Sequence, residues 1–212
     1  MHKDTVAVPA QEIRIDQHIR QEDSAAVHIK GEVFMTLKSS ETGEILETRH
    51  NQNLIVKDAS ILLARLVKNA AEPTTGLFCL AVGTGDSGWD LQNPPAATVT
   101  QRALYGELSR KTFSSTTFID SASLPTVIPT NVVDFTTTFG EAEAVGALCE
   151  MGLLGGTISS NLNVKNPVTP ANGPYNVLVD HTTKETMFNY LTFKVLNKPP
   201  TSTLTLTWRL TF

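Results

Sequence analysis

Ser87 stands in Gly85-Asp86-Ser87-Gly88, a setting that acyl-transfer enzymes use for a nucleophile. Such a serine needs a histidine to take its proton and a carboxylate to orient that histidine. The histidines are His2, His18, His28, His50 and His181, and none stands in the Ala-Ala-His-Cys context that accompanies this kind of segment. Trp89 also follows where such a segment continues with glycine. The same turn spells Gly83-x-Gly85-x-x-Gly88, the spacing of a dinucleotide fingerprint. That chemistry needs a helix starting at the glycines, with its free amides facing a pyrophosphate. Trp89 to Pro95 follow instead, and Pro94-Pro95 bar a continuous helix.

The other reactive side chains are no better placed. Glu141 and Glu143 form a carboxylate pair, but they lie in a short linker and read as solvated. Glu150 interrupts an apolar strand and reads as facing outward, or as the partner of an arginine such as Arg110. Cys79 and Cys149 each lie in an apolar run and read as buried thiols. A disulfide between them stays open, since spacing alone cannot support one. The histidines are scattered and no C-x-x-C occurs, so metal-ligand spacing is absent. No catalytic residue, cofactor or metal is assigned.

The elements that would carry these residues are mostly strands. Leu77 to Val82 is a short apolar run between Gly76 and Gly83, the pattern of a buried strand ending in a glycine-rich turn. A proline loop follows, then a short helix up to Arg110, which opens the next strand. Upstream, Val33, Met35 and Leu37 alternate with other residues, Ser39 to Gly43 turn the chain, and Glu44 to His50 return as a hairpin partner. Leu54-Ile55-Val56 is a further short strand. Ala59, Leu62, Leu63, Leu66 and Val67 form one apolar stripe, with Asp58 as N-cap and Arg65 and Lys68 in the last turn. This is the main helix, over Asp58 to Lys68.

Downstream, the spacing predicts strands at Lys111 to Asp120, Val127 to Phe139, Ala147 to Leu154, Met187 to Leu196 and Leu204 to Phe212. The last alternates without a break, Leu204, Leu206, Trp208, Leu210 and Phe212 against Thr203, Thr205, Thr207, Arg209 and Thr211. One of its faces must be buried, with Phe212 in the core. Residues 161–180 hold three prolines and read as a long loop.

The chain has 212 residues, 41% of them hydrophobic, enough for one sizeable core. Its formal net charge of -4 gives no basic surplus for nucleic acid. No run is long enough for a membrane helix, and no secretory signal opens the chain. Residues 1–30 mix nine charges with few apolar side chains and cannot bury enough surface to order themselves. They read as an extended arm that orders against a neighbour, with Ile13, Ile15 and Ile19 as anchors. Residues 31–212 read as a single β-rich domain. The expected class is mainly β, an antiparallel β-sandwich of jelly-roll-like kind with one main helix.

An ordered series of short motifs runs through residues 50 to 212. They are Asn53-Leu54-Ile55-Val56, Val82-Gly83-Thr84-Gly85, Leu104 to Arg110, Glu150-Met151-Gly152-Leu153 and Leu204 to Phe212. In this order they resemble a diffuse family of tailed-bacteriophage structural proteins, of tail, baseplate or fibre-associated kind. Leu104 to Arg110 departs from the family pattern by an extra glycine, Gly106, which shortens the expected helix. The resemblance implies a non-catalytic virion protein, made in the bacterial host cytoplasm. Its implied partners are further copies of itself and other virion proteins, with no nucleic acid and no membrane. Capsid decoration on the head surface is the alternative position. A carbohydrate-binding module, with Trp89 as a stacking platform, is the alternative of another class.

Overall fold

A computed structural model of the chain describes residues 29–68, 75–156, 164–165 and 185–212. Along them run β1 (Lys30–Ser39), β2 (Ile45–Gln52), β3 (Leu54–Ile55), α1 (Ala59–Lys68), β4 (Thr75–Gly83), β5 (Glu107–Thr112) and β6 (Ser115–Ile119). Then follow β7 (Pro125–Thr126), β8 (Val132–Phe139), β9 (Gly146–Gly156), β10 (Val164–Lys165), β11 (Glu185–Lys198) and β12 (Ser202–Thr211). The strands form two antiparallel sheets. The front sheet is ordered β2-β1-β12-β8-β6-β7 and the back sheet β10-β5-β4-β9-β11-β3. The fold is an antiparallel β-sandwich with one short helix.

Side-chain alternation builds the core. On β12, Leu204, Leu206, Trp208 and Leu210 are buried, and the threonines between them are turned the other way. Val33, Met35 and Leu37 of β1 and Phe135 and Phe139 of β8 extend this inner face. Leu80, Val82, Leu148, Met151, Leu153, Phe188 and Leu196 meet them from the back sheet. One polar tie crosses this core. Asn189 Nδ2 donates to Asn53 Oδ1 (2.9 Å), and the buried Trp208 indole N–H faces the same pair of amides. A wholly buried tryptophan needs such a partner for its N–H.

The hairpin of β1 and β2 forms as its pattern requires, with Gly43 at a φ of 70° in the turn. Several other expectations are corrected. Lys111 to Asp120 is not one strand, because the chain changes sheets between β5 and β6. Phe113 at the crossing packs on Phe135, with ring centroids 5.0 Å apart. The strand expected from Val127 starts only at Val132. No helix lies between β4 and β5. The amides of Tyr105 and Gly106 are taken by the Glu150 carboxylate, leaving them unable to bond carbonyls one turn back.

The helix starts as expected, with the Asp58 carbonyl accepting from Ile61 (3.0 Å) and Leu62 (3.2 Å). Only Ala59 and Leu62 of its stripe are buried, and Val67 is 85% exposed, because the later turns run past the core. Phe212 is 40% exposed rather than in the core, one residue beyond the end of β12. Its backbone is still held, by Asn131 at both N–H and carbonyl (2.9 Å each). Of the expected arm, residues 1–28, with Ile13, Ile15 and Ile19, lie outside the described residues. So does the expected loop at 161–180, apart from β10.

Candidate interaction surfaces

Two of the reactive side chains singled out in the sequence, Glu150 and Glu143, prove to be fasteners. The outer face of the back sheet carries a second apolar cluster, which includes Val56, Phe78, Cys79, Ala81, Leu154, Met187 and Tyr190. Residues 84–106 lie across it, with Leu104, Ala97 and Ala103 packed down. This double burial explains why β4 and β9 read as continuous apolar runs.

Glu150 holds that cover in place. It is wholly buried, neither facing out nor paired with Arg110. Its Oε1 accepts from the amides of Gly85 (3.1 Å) and Gly106 (2.7 Å). Its Oε2 accepts from the Tyr105 amide (3.0 Å) and the Tyr190 hydroxyl (2.7 Å). One carboxylate thus clamps both ends of the covering segment to the sheet. The close approach also demands glycines, since a Cβ on Gly106 would lie 2.4 Å from the Gly85 carbonyl oxygen. Arg110 instead pairs with Glu107, its Nη2 donating to Oε2 at 2.9 Å. Burial, and then the charge of Glu150, push the Tyr190 phenol far above its ordinary range. The same two causes push the Cys149 thiol up to about 11. Cys79 and Cys149 are both free and buried.

Trp89 belongs to this assembly. It is half-buried and packs edge-on against Tyr105, with centroids 4.9 Å apart and planes at 61°. A Cβ added at Gly85, whose φ is 70°, would lie 2.4 Å from the Trp89 ring. The ring therefore closes over Gly85 and Cys149, and is not the free platform that a stacking role would want. Ser87 is exposed in the turn beside it. The one histidine among the described residues, His50, is on β2 of the other sheet.

Glu143 is also a fastener and not a solvated carboxylate. It accepts from Lys111 Nζ (2.7 Å) and from the Gly140 amide (2.7 Å). Partial burial pushes its carboxyl up, but Lys111 and the Gly140 amide outweigh this and hold it below the usual range. Lys198, buried nearby, donates to the carbonyls of Gly140 (2.7 Å), Glu141 (3.2 Å) and Ser202 (2.8 Å). Glu141 is exposed. Among the described residues, no three His, Cys, Asp or Glu side chains gather as a metal site.

The open surfaces are elsewhere. Among the described residues nothing covers the front sheet's outer face, which is rich in threonine. Thr136 and Thr207 share a hydrogen bond at 3.1 Å, Thr138 and Thr205 one at 3.0 Å. Arg209 forks onto Asp134 (2.8 and 2.9 Å), and Phe34 stacks on His50 at 4.5 Å. At one edge of this sheet, β2 exposes Ile45 and Leu46. At the other, the β7 hairpin exposes Leu124 (59%), Val127 (96%) and Ile128 (69%). The strand pattern read Val127 and Ile128 as sheet residues, so sequence reasoning missed this patch. The flanking Pro125 and Pro129 were the available signal. No protein-family model matches the chain, and no curated protein matches it.

Proposed function

We propose that the chain is a non-enzymatic structural protein of a tailed-phage particle, acting through contacts with copies of itself and with other virion proteins. The observation that carries the reading is where its apolar side chains are left open. Leu124, Val127 and Ile128 cluster at one sheet edge and Ile45 and Leu46 at the other. Exposed apolar clusters of this kind mark contact sites. Meanwhile Glu143, Glu150 and Lys198 are occupied in holding loops to the body. In this reading residues 1–30 are the arm, with Ile13, Ile15 and Ile19 anchoring on a neighbour. The resemblance favours a tail, baseplate or fibre-adaptor position, and capsid decoration is the alternative. Cryo-electron microscopy of particles that carry the chain tests this. Density on the tail supports the first position and density on the head the second. Absence of the chain from purified particles sinks both. A carbohydrate-binding module is disfavoured, because the Trp89 ring is engaged with Tyr105 and Gly85.

A further inference from the structure

β2 is the outermost strand of the front sheet, and no described strand pairs with its far side. The phase of its backbone follows from its end. The Asn53 amide donates to the Gly31 carbonyl (3.0 Å), in register with the β1–β2 ladder. In an antiparallel ladder, residues alternate between exchanging hydrogen bonds with the neighbour and pointing them away. Glu47, Arg49 and Asn51 therefore bond β1, and Thr48, His50 and Gln52 turn N–H and C=O to the open side, up to the β-bulge at Leu46. The strand carries neither lysine nor proline, two residues that keep natural edges from pairing.

Charge then selects a partner register. Two copies of one strand that pair antiparallel about an axis perpendicular to the sheet must centre on a residue, because opposed side chains share a face. Centring on Glu47 would oppose two carboxylates, and centring on Arg49 two guanidiniums. Like charges placed directly opposite destabilise a sheet, and unlike charges stabilise it. Within each strand Arg49 Nε already donates to Glu47 Oε1 (2.6 Å), and Nη2 donates to the Val195 carbonyl (2.8 Å). Centring on Thr48 sets this Glu47 opposite Arg49 of the second copy, twice, so that the four charges alternate in sign across the seam.

We infer that β2 is a self-pairing edge: two copies of this chain join antiparallel through it about a two-fold axis at Thr48, with each Glu47 opposite the other copy's Arg49. The two six-stranded front sheets become one continuous sheet. The inference deepens the proposed function and rests on its premise that copies of this chain meet.

The full chain is measured by sedimentation velocity as wild type and as Thr48→Pro. Proline at 48 removes an amide that points away from β1, a place where edge strands tolerate it. The expected result is a wild-type dimer and a Thr48→Pro chain that melts as a folded protein but dimerises about tenfold or more weakly. In a second variant, Thr48→Cys, the two thiols meet at the axis and an oxidant links the copies, while Lys38→Cys stays unlinked. The inference is overturned by a monomeric wild type, by a dimer that Thr48→Pro leaves intact, or by equal linking at 38 and 48. A wild type that dimerises only after removal of residues 1–28 also overturns it, since the chain's own leading segment would then cover the edge. A monomer that still enters particles ends this inference alone, and a dimer that never enters them ends the proposed function alone.

Discussion

The two outer faces of the sandwich solve the same problem in opposite ways. Among the described residues no segment lies over the front sheet, and its strands alternate, with leucines and Trp208 inward and threonines outward on β12. The back sheet is buried on both sides and takes a 23-residue cover, residues 84–106, which has no strand or helix of its own. A face that water covers is satisfied by water. A face that a loop covers must satisfy every amide the loop brings with it. Glu150 is the answer to that need, and it makes the back of the molecule depend on one side chain in a way that the front does not.

The sharpest way to break the contrast is Glu150→Ala. It strands the amides of Gly85, Tyr105 and Gly106 and the Tyr190 hydroxyl in a buried site. The expected loss is about 3–5 kcal/mol in denaturant unfolding, in the range for breaking a buried charged network. Cys149 reports the lid locally. Its thiol is buried and pushed up to about 11, so it should resist a thiol reagent at pH 8 in the wild type and react faster in the variant. A variant as stable and as unreactive as the wild type would show that the cover needs no clamp.

Leu104→Ala tests the apolar half of the same cover. Leu104 is buried against the second cluster, so its loss should cost about 2–4 kcal/mol. Faster hydrogen exchange should be confined to residues 84–106 if the cover opens as a unit. Exchange rising evenly through both sheets would mean that cover and sandwich unfold together.

The same contrast decides what the sequence could say. The front sheet was legible because its signals are local: β1 and β12 from spacing of two, and β2 as the strand that returns after the Ser39 to Gly43 turn. In the back sheet β10 lies in a stretch that reads as loop, whereas β4 and β9 were legible too, as apolar runs ending in glycines. Their cover was not. The donors that Glu150 serves stand 65, 45, 44 and 40 residues away, so nothing beside Glu150 marks it as buried. A helix was expected at Leu104 to Arg110 for the same reason, since its amides are claimed from a distant strand. The crossing at Phe113 and the open patch at Val127 share this character. Both residues keep a strand-like pattern, and only the change of sheet, or its end, decides their place.

Glu143 gives a smaller effect, at the turn where β8 leaves the front sheet for β9. Its folded carboxyl is held below the ordinary value of 4.5, mainly by Lys111 and the Gly140 amide working against burial. A lowered carboxyl pKa contributes stability that is present above the unfolded value and lost as pH falls through the folded one. Stability should therefore drop on acidification below about 4.5, and Glu143→Gln should remove part of that drop. The difference should be at most about 1 kcal/mol, because the Lys111 pair is partly exposed. Identical pH profiles for the two proteins would show that the pair adds nothing.

The smallest expected effect lies on the front face, and there the comparison is most exposed to failure. Thr136 and Thr207 bond each other across β8 and β12 at 3.1 Å, and both are half-buried. Valine has nearly the shape of threonine and favours strands as much. Replacing both hydroxyls leaves no unpaired partner behind, the case in which losing a hydrogen bond is close to neutral. Thr136→Val with Thr207→Val should thus shift stability by no more than about 0.5 kcal/mol. On the back face, Tyr190→Phe also removes one hydroxyl, but the acceptor there is a buried carboxylate. That change should cost about 1.5–3 kcal/mol. Equal costs on the two faces would mean that burial under the cover does not set the value of a hydrogen bond here. The contrast between an open sheet and a clamped one would then fail.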